Sequence, residues 1–172
     1  VNIPTFYDYL TRARRDLWTF LESLPDEVLA RAVLPGKRFH YIKDLISHVA
    51  SVEDSWVHED ILKDTPVWET APGMEDAEDG PVYAGKPLEL LLGYWRAVET
   101  STLEYLSTLT PDELTRAVAV DGSRGFKHFT VEGLLWHVMQ HEVRHTAQVA
   151  MLSRQMGFKP PALDLLFYLP SS

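Results

Sequence analysis

Apolar residues recur at three- and four-residue steps through four long stretches of the chain, the period of a helix with one buried face. The first stretch covers about residues 4–24 on Phe6, Leu10, Ala13, Leu17, Phe20, Leu21 and Leu24, with Thr5 and Asp8 as its cap and Pro25-Asp26 as its stop. The second, about 42–63, carries Ile42, Leu45, Val49, Val52 and Trp56. The third opens at Pro87, a residue suited to a first turn, and follows Leu88, Leu91, Trp95, Val98, Thr102 and Leu106 to Leu109. The fourth starts near Thr130 and stops at Gly157. Strand signals are short, at 32–34 and 117–120. Four long amphipathic helices read as an all-α four-helix bundle. A length of 172 residues suits one domain, 1–172, with a real core.

Residues 64–86 break the pattern with Pro66, Pro72, Pro81, Gly73, Gly80 and Gly85, and with six acidic residues against one Lys. A connection of that length inside a compact domain is a crossover or a lid. As a crossover it lets the second and third helices run parallel.

A hydrophobic content of 45% with 11% aromatics suits a folded chain, and no apolar run reaches the length of a membrane span or of a signal-peptide core. The absence of cysteine excludes disulfides and thiolate ligands and is compatible with a cytoplasmic location. A net charge of −9 with no Lys/Arg cluster argues against nucleic acid as a partner.

Three histidines, His137, His141 and His145, sit at four-residue steps in the fourth helix and fan over about 80° of its surface. His141 and His145 interrupt the core-facing stripe Leu134, Val138, Val149, Leu152, Met156. Buried imidazoles need partners for their nitrogens. Two at this spacing can share a metal ion, or can be core histidines bonded to backbone or carboxylates. The halves of the chain also echo each other: Leu45-Ile46-Ser47-His48-Val49 lines up with Leu134-Leu135-Trp136-His137-Val138. His48 then corresponds to His137, and Val52 and Trp56 take the places of His141 and His145. This duplication suggests pseudo-twofold packing of the second and fourth helices, from which His48 could reach the pair.

The segment HEVRH has the form of a zincin motif, with Glu142 as general base. Its context differs, since no His or Glu follows His145 to complete the ligand set. A di-iron bundle needs two Glu-x-x-His motifs, and Glu142–His145 is the only one. A mononuclear site of two histidines from the fourth helix and one from the second survives. His40, His58 and His128 read as ordinary residues. Trp18, Trp56, Trp95 and Trp136 read as core or dimer contacts, and Trp68, in the crossover, as a loop anchor or a cover for the metal.

ISHVASVED in the second helix, LLWHVMQHEVRHTAQVAMLSRQMG in the fourth and the tail PPALDLLFYL resemble the DinB/YfiT-like family over essentially the whole chain. The resemblance implies a bundle with a long crossover and one divalent metal ion on three histidines, falling here on His48, His141 and His145. His137 matches a position that is often His without being a usual ligand. Gln148 matches a frequent Gln one turn beyond the pair, placed to hydrogen-bond a ligand. The family's Arg-Gly following the pair is Thr146-Ala147 here. The resemblance also implies homodimers and links to stress responses. Its characterised members include S-transferases that use bacillithiol or mycothiol, and a mycothiol-dependent isomerase.

Three protein ligands leave coordination positions open, as in catalytic sites, and imidazole suits Zn, Ni, Fe or Co. The expected activity is transfer of an ion-activated low-molecular-weight thiol to a small-molecule substrate. The alternatives are a metal-dependent hydrolase with Glu142 or a crossover carboxylate as base, and a non-enzymatic stress-response protein whose metal stabilises the bundle.

Overall fold

The computed structural model describes residues 2–33, 35, 39–74, 85–121 and 125–169. Helix α1 (Ile3–Glu22) is capped by Asn2, whose side chain accepts the Thr5 N–H at 3.0 Å. The expected cap at Thr5 and Asp8 lies one turn too late: Asn2 has extended backbone, and Pro4 already occupies the first helical turn. Pro25 ends the run and begins a single turn, α2 (Asp26–Leu29). Helix α3 (Ile42–Asp54) starts where the Asp44 carboxylate accepts the Tyr41 N–H. It continues as two widened π-type turns over Ser55–Leu62 and stops at Lys63, which is left-handed at φ 57°. Helix α4 (Leu88–Ser107) follows Pro87. Then come the short α5 (Pro111–Thr115), capped by Thr110, and a hairpin of β1 (Ala117–Val120) and β2 (Lys127–Thr130). Helix α6 (Val131–Gln155) is capped by the Thr130 hydroxyl on the Gly133 N–H and ends at Gly157, whose φ of 90° suits a residue without Cβ.

The expected strand at 117–120 is present, with a partner that sequence reading did not find. Ala32 and Val33 are not in a strand, though Val33 N–H bonds the His40 carbonyl at 2.7 Å. Leu34 lies outside the described residues.

Helix α3 packs against α4 and α6, and α1 packs against the same two helices from the opposite side. Cross-helix contacts give the directions. Lys43 reaches the Lys86 carbonyl beside the start of α4, while His58 reaches Ser101 near its end, so α3 and α4 run parallel. Trp56 meets His137 edge to face and His48 meets His145 in the same way, so α3 and α6 are antiparallel. Glu22 pairs with Arg96 and Arg15 with Glu99, so α1 opposes α4. The connection between α3 and α4 is therefore a crossover that returns the chain to its starting end. Its first part is pinned by Asp54, whose carboxylate accepts the N–H groups of Val67 and Trp68 and the Tyr94 hydroxyl. Trp68 packs on the apolar core as a loop anchor. Residues 75–84 of the crossover, with Gly80 and Pro81, lie outside the described residues.

The core has two apolar clusters, one around Leu17, Trp18, Leu45, Val49, Trp95, Val98 and Leu152, the other around Tyr7, Leu10, Val57, Leu106, Leu134 and Met139. Along every long helix a charged residue stands between them: Arg14, Glu53, Glu99 and Glu142, each at most 3% exposed. This polar layer was absent from the sequence expectation.

Candidate metal centre

Helix α3 contributes His48 one residue before Val49 of the core stripe, at the half-buried margin of the helix. Helix α6 contributes His141 and His145, 8% and 6% exposed. One ring nitrogen from each of the three lies within 4.8 Å of the others, and Nε2 of His48 and of His141 face each other at 3.0 Å. The rings stand 4.3–5.0 Å apart. No fourth His and no carboxylate joins this group among the described residues.

The donors are in the chemical state a cation needs. Nδ1–H of His145 donates to the Gln148 side-chain oxygen at 2.6 Å, which leaves the lone pair on Nε2. Burial, reinforced by His145 and His48 beside it, lowers the His141 pKa to about 3, and burial lowers that of His145. Both rings stay neutral through the physiological range, the form that ligates metal. Three imidazole nitrogens from two antiparallel helices fit one borderline divalent ion, with positions left for an outside ligand.

His137 falls outside the group: it is exposed and its ring meets that of Trp56 edge to face at 5.3 Å. That contact explains its spacing. In the internal repeat His48 matches His137 and Trp56 matches His145, so the pairs His48–His145 and His137–Trp56 are the same contact made twice across a pseudo-twofold axis. Only one copy carries the full set of imidazoles, because Val52 and Trp56 replace His141 and His145 in the other.

Glu142 does not take the position of a zincin base. Both its oxygens are held by Arg14, from Nε at 2.7 Å and Nη2 at 2.5 Å. The same guanidinium bonds Glu53 at 2.6 Å and Glu99 at 3.1 Å, and the Tyr7 hydroxyl donates to Glu53. Arg15 reaches Glu99 from the surface. Burial raises the Glu142 pKa, opposed by Arg14. One arginine thus ties the two histidine-bearing helices to α1 and α4 at the level of the histidines.

Two further side chains at the centre, Phe39 and Arg144, were not marked by the sequence pattern. Phe39 lies in the left-handed region at φ 58°, unusual for a bulky residue, and its ring stands 4.5 Å from that of His48 and 5.9 Å from that of His145. Arg144, exposed, places Nη2 3.4 Å from Nε2 of His145. His58 was expected to be ordinary. It is 4% exposed, bonded through Nδ1 to Asp54 at 2.9 Å and through Nε2 to the Ser101 hydroxyl at 2.7 Å. Asp54 raises its pKa.

The family model described as the DinB family matches residues 1–172. A conserved protein from Enterococcus faecalis superposes with a TM-score of 0.69 at 17% identity, over 88% of this chain and 94% of that one. A DinB-like protein from Bacillus cereus gives 0.55 at 23% identity, over 91% and 94%. YfiT from Bacillus subtilis gives 0.61 at 18% identity, over 91% and 89%, and is described as "a probable metal-dependent hydrolase with an unusual four-helix bundle topology". No curated protein matches the chain.

Proposed function

Because the chain belongs to the DinB family, we propose that it is a mononuclear divalent-metal enzyme in which His48, His141 and His145 hold the ion and a low-molecular-weight thiol is transferred to an electrophilic small molecule. The observation that carries the metal reading is the convergence of three imidazole nitrogens within 4.8 Å, each ring supplied by a different position on two packed helices. A divalent ion on neutral imidazoles keeps its charge and lowers the pKa of a thiol or water that joins it. Gln148 fixes the His145 tautomer, Phe39 covers one side of His48 and His145, and the Arg14 layer holds the helices in register. What favours a thiol over water as the attacking group is the state of Glu142. A thiolate needs no protein base to attack, and the one carboxylate of HEVRH is committed to Arg14. Zn, Ni and Fe all suit the donor set.

The description of YfiT favours a second reading, metal-dependent hydrolysis. Metal-loaded and metal-free protein assayed against model electrophiles with bacillithiol, mycothiol, glutathione and coenzyme A separates the two. Thiol transfer that requires both metal and thiol supports the first reading. Metal-dependent cleavage of esters or amides without thiol supports the second, and equal rates with and without metal overturn both.

A further inference from the structure

Among the described residues, Arg144, like Arg31 and Arg154, forms no ion pair with a carboxylate, but it alone of the three reaches the histidine group. Arg12, Arg14, Arg15, Arg96 and Arg116 each face a carboxylate. The residues three and four positions from Arg144 on α6 are Gln140, His141, Ala147 and Gln148, none of them acidic. Among the described residues its polar contact is Nε2 of His145 at 3.4 Å. That nitrogen bears the lone pair, since Nδ1–H is given to Gln148. A permanently charged guanidinium with donors and no acceptors therefore rests on a ligand atom of the metal centre, in a chain of net charge −9.

We propose that Arg144 is the anion-recognition residue of this centre, and that the small molecule taken there carries a carboxylate or phosphate group beside its metal-ligating atom. The inference rests on the metal reading above and names its substrate class. A cation held by the three imidazoles would repel the guanidinium and take the lone pair on His145 Nε2 that the guanidinium faces. The exposed Arg144 side chain would then remain beside the site with its donors open to a bound anion. Two positive centres a few ångströms apart match a ligand with two adjacent donor groups, one for the ion and one anionic. The planar guanidinium fork pairs two oxygens of a carboxylate or phosphate at once, which a neutral ligand cannot offer. In the absence of metal, Arg144 competes for His145, so its removal has opposite effects on the two ligands: tighter metal, weaker anion.

The test uses cobalt-loaded wild type, Arg144→Gln and Arg144→Lys, with the visible spectrum as readout. Mercaptoacetate and neutral 2-mercaptoethanol are titrated in parallel, and acetate and phosphate are titrated alone. Wild type is expected to prefer mercaptoacetate over 2-mercaptoethanol by about tenfold more than Arg144→Gln does, from one charge-assisted pair. Arg144→Lys is expected to retain part of that preference, and added salt to weaken it. Arg144→Gln is also expected to bind cobalt more tightly. If acetate or phosphate shifts the spectrum in an Arg144-dependent way while neither thiol does, the thiol reading fails and the anion site stands, with the stronger of the two naming the anion. Equal preferences in wild type and Arg144→Gln overturn the proposal. So does a Gln variant that merely binds metal more weakly, and a chain that takes up no cobalt overturns both readings.

Discussion

At the scale of single residues, the polar layer is the strongest constraint on the site. Arg14 pairs with three buried carboxylates, and Arg14→Met is expected to cost about 3–5 kcal/mol in denaturant unfolding, because breaking a buried pair leaves charge without a partner. Glu142→Gln keeps an acceptor for the guanidinium and is expected to change turnover by less than about tenfold, whereas loss of a general base typically costs about 10²–10⁴-fold. Steady-state rates of the two forms at equal metal loading decide which role Glu142 plays. Much of this layer is written in the sequence. Arg14 follows Leu10 by four, Glu53 follows Val49, Glu99 follows Trp95 and Glu142 follows Val138, so each charge continues an apolar stripe. A stripe with one charge per helix, three negative and one positive, predicts a buried layer as surely as an unbroken stripe predicts a core. The contact of Phe39 with the histidines carried no such signal, because it depends on a left-handed backbone in a loop without periodicity.

Among elements, α3 and α6 hold both the site and its history in the chain. The four long helices were legible because apolar periodicity persists over about four or more turns in each, and the pairing of α3 with α6 was legible through the repeat. The second strand, α5 and the π-type turns of α3 were not. Lys127–Thr130 has no residue buried on either face, so it lacks the alternation that marks a strand. Pro111–Thr115 is too short for periodicity, and a π-type turn has no sequence signature distinct from the α pattern around it. The repeat gives a test of its own. Val52→His with Trp56→His places imidazoles at the positions equivalent to His141 and His145, opposite the existing His137. The double variant is expected to bind a second divalent ion per chain, measured by elemental analysis after dialysis, and adding His137→Ala is expected to remove it. Retention of a single ion would mean that the pseudo-twofold contact does not reproduce the ligand geometry.

For the molecule as a whole, metal binding and pH act on the same balance. His141 has its pKa lowered in the fold to about 3, chiefly by burial, and that of His145 is lowered too, against about 6.5 in the unfolded chain. Between those limits the unfolded chain binds more protons, so the stability of the metal-free protein falls as pH drops below about 6.5. His58 works in the opposite direction. Its pKa is raised by Asp54, so its contribution is complete below about 6.5 and is lost as pH rises through the folded value. Metal-free protein is therefore expected to be most stable near neutrality. His141→Ala should flatten the acid side of the profile, and His58→Gln the alkaline side. Adding a divalent ion selects the folded state by about 2.7 kcal/mol at a hundred times its dissociation constant. That increment should shrink with acid, since protons and metal compete for the same nitrogens. His48→Ala is expected to keep the helical circular dichroism, because the apolar clusters on either side of the Arg14 layer do not depend on it, and to lose the metal-induced rise in melting temperature. A rise as large in His48→Ala as in wild type would place the ion elsewhere. Loss of the helical signal would instead make the bundle dependent on its metal centre, the behaviour of a structural site rather than of one built to exchange ligands.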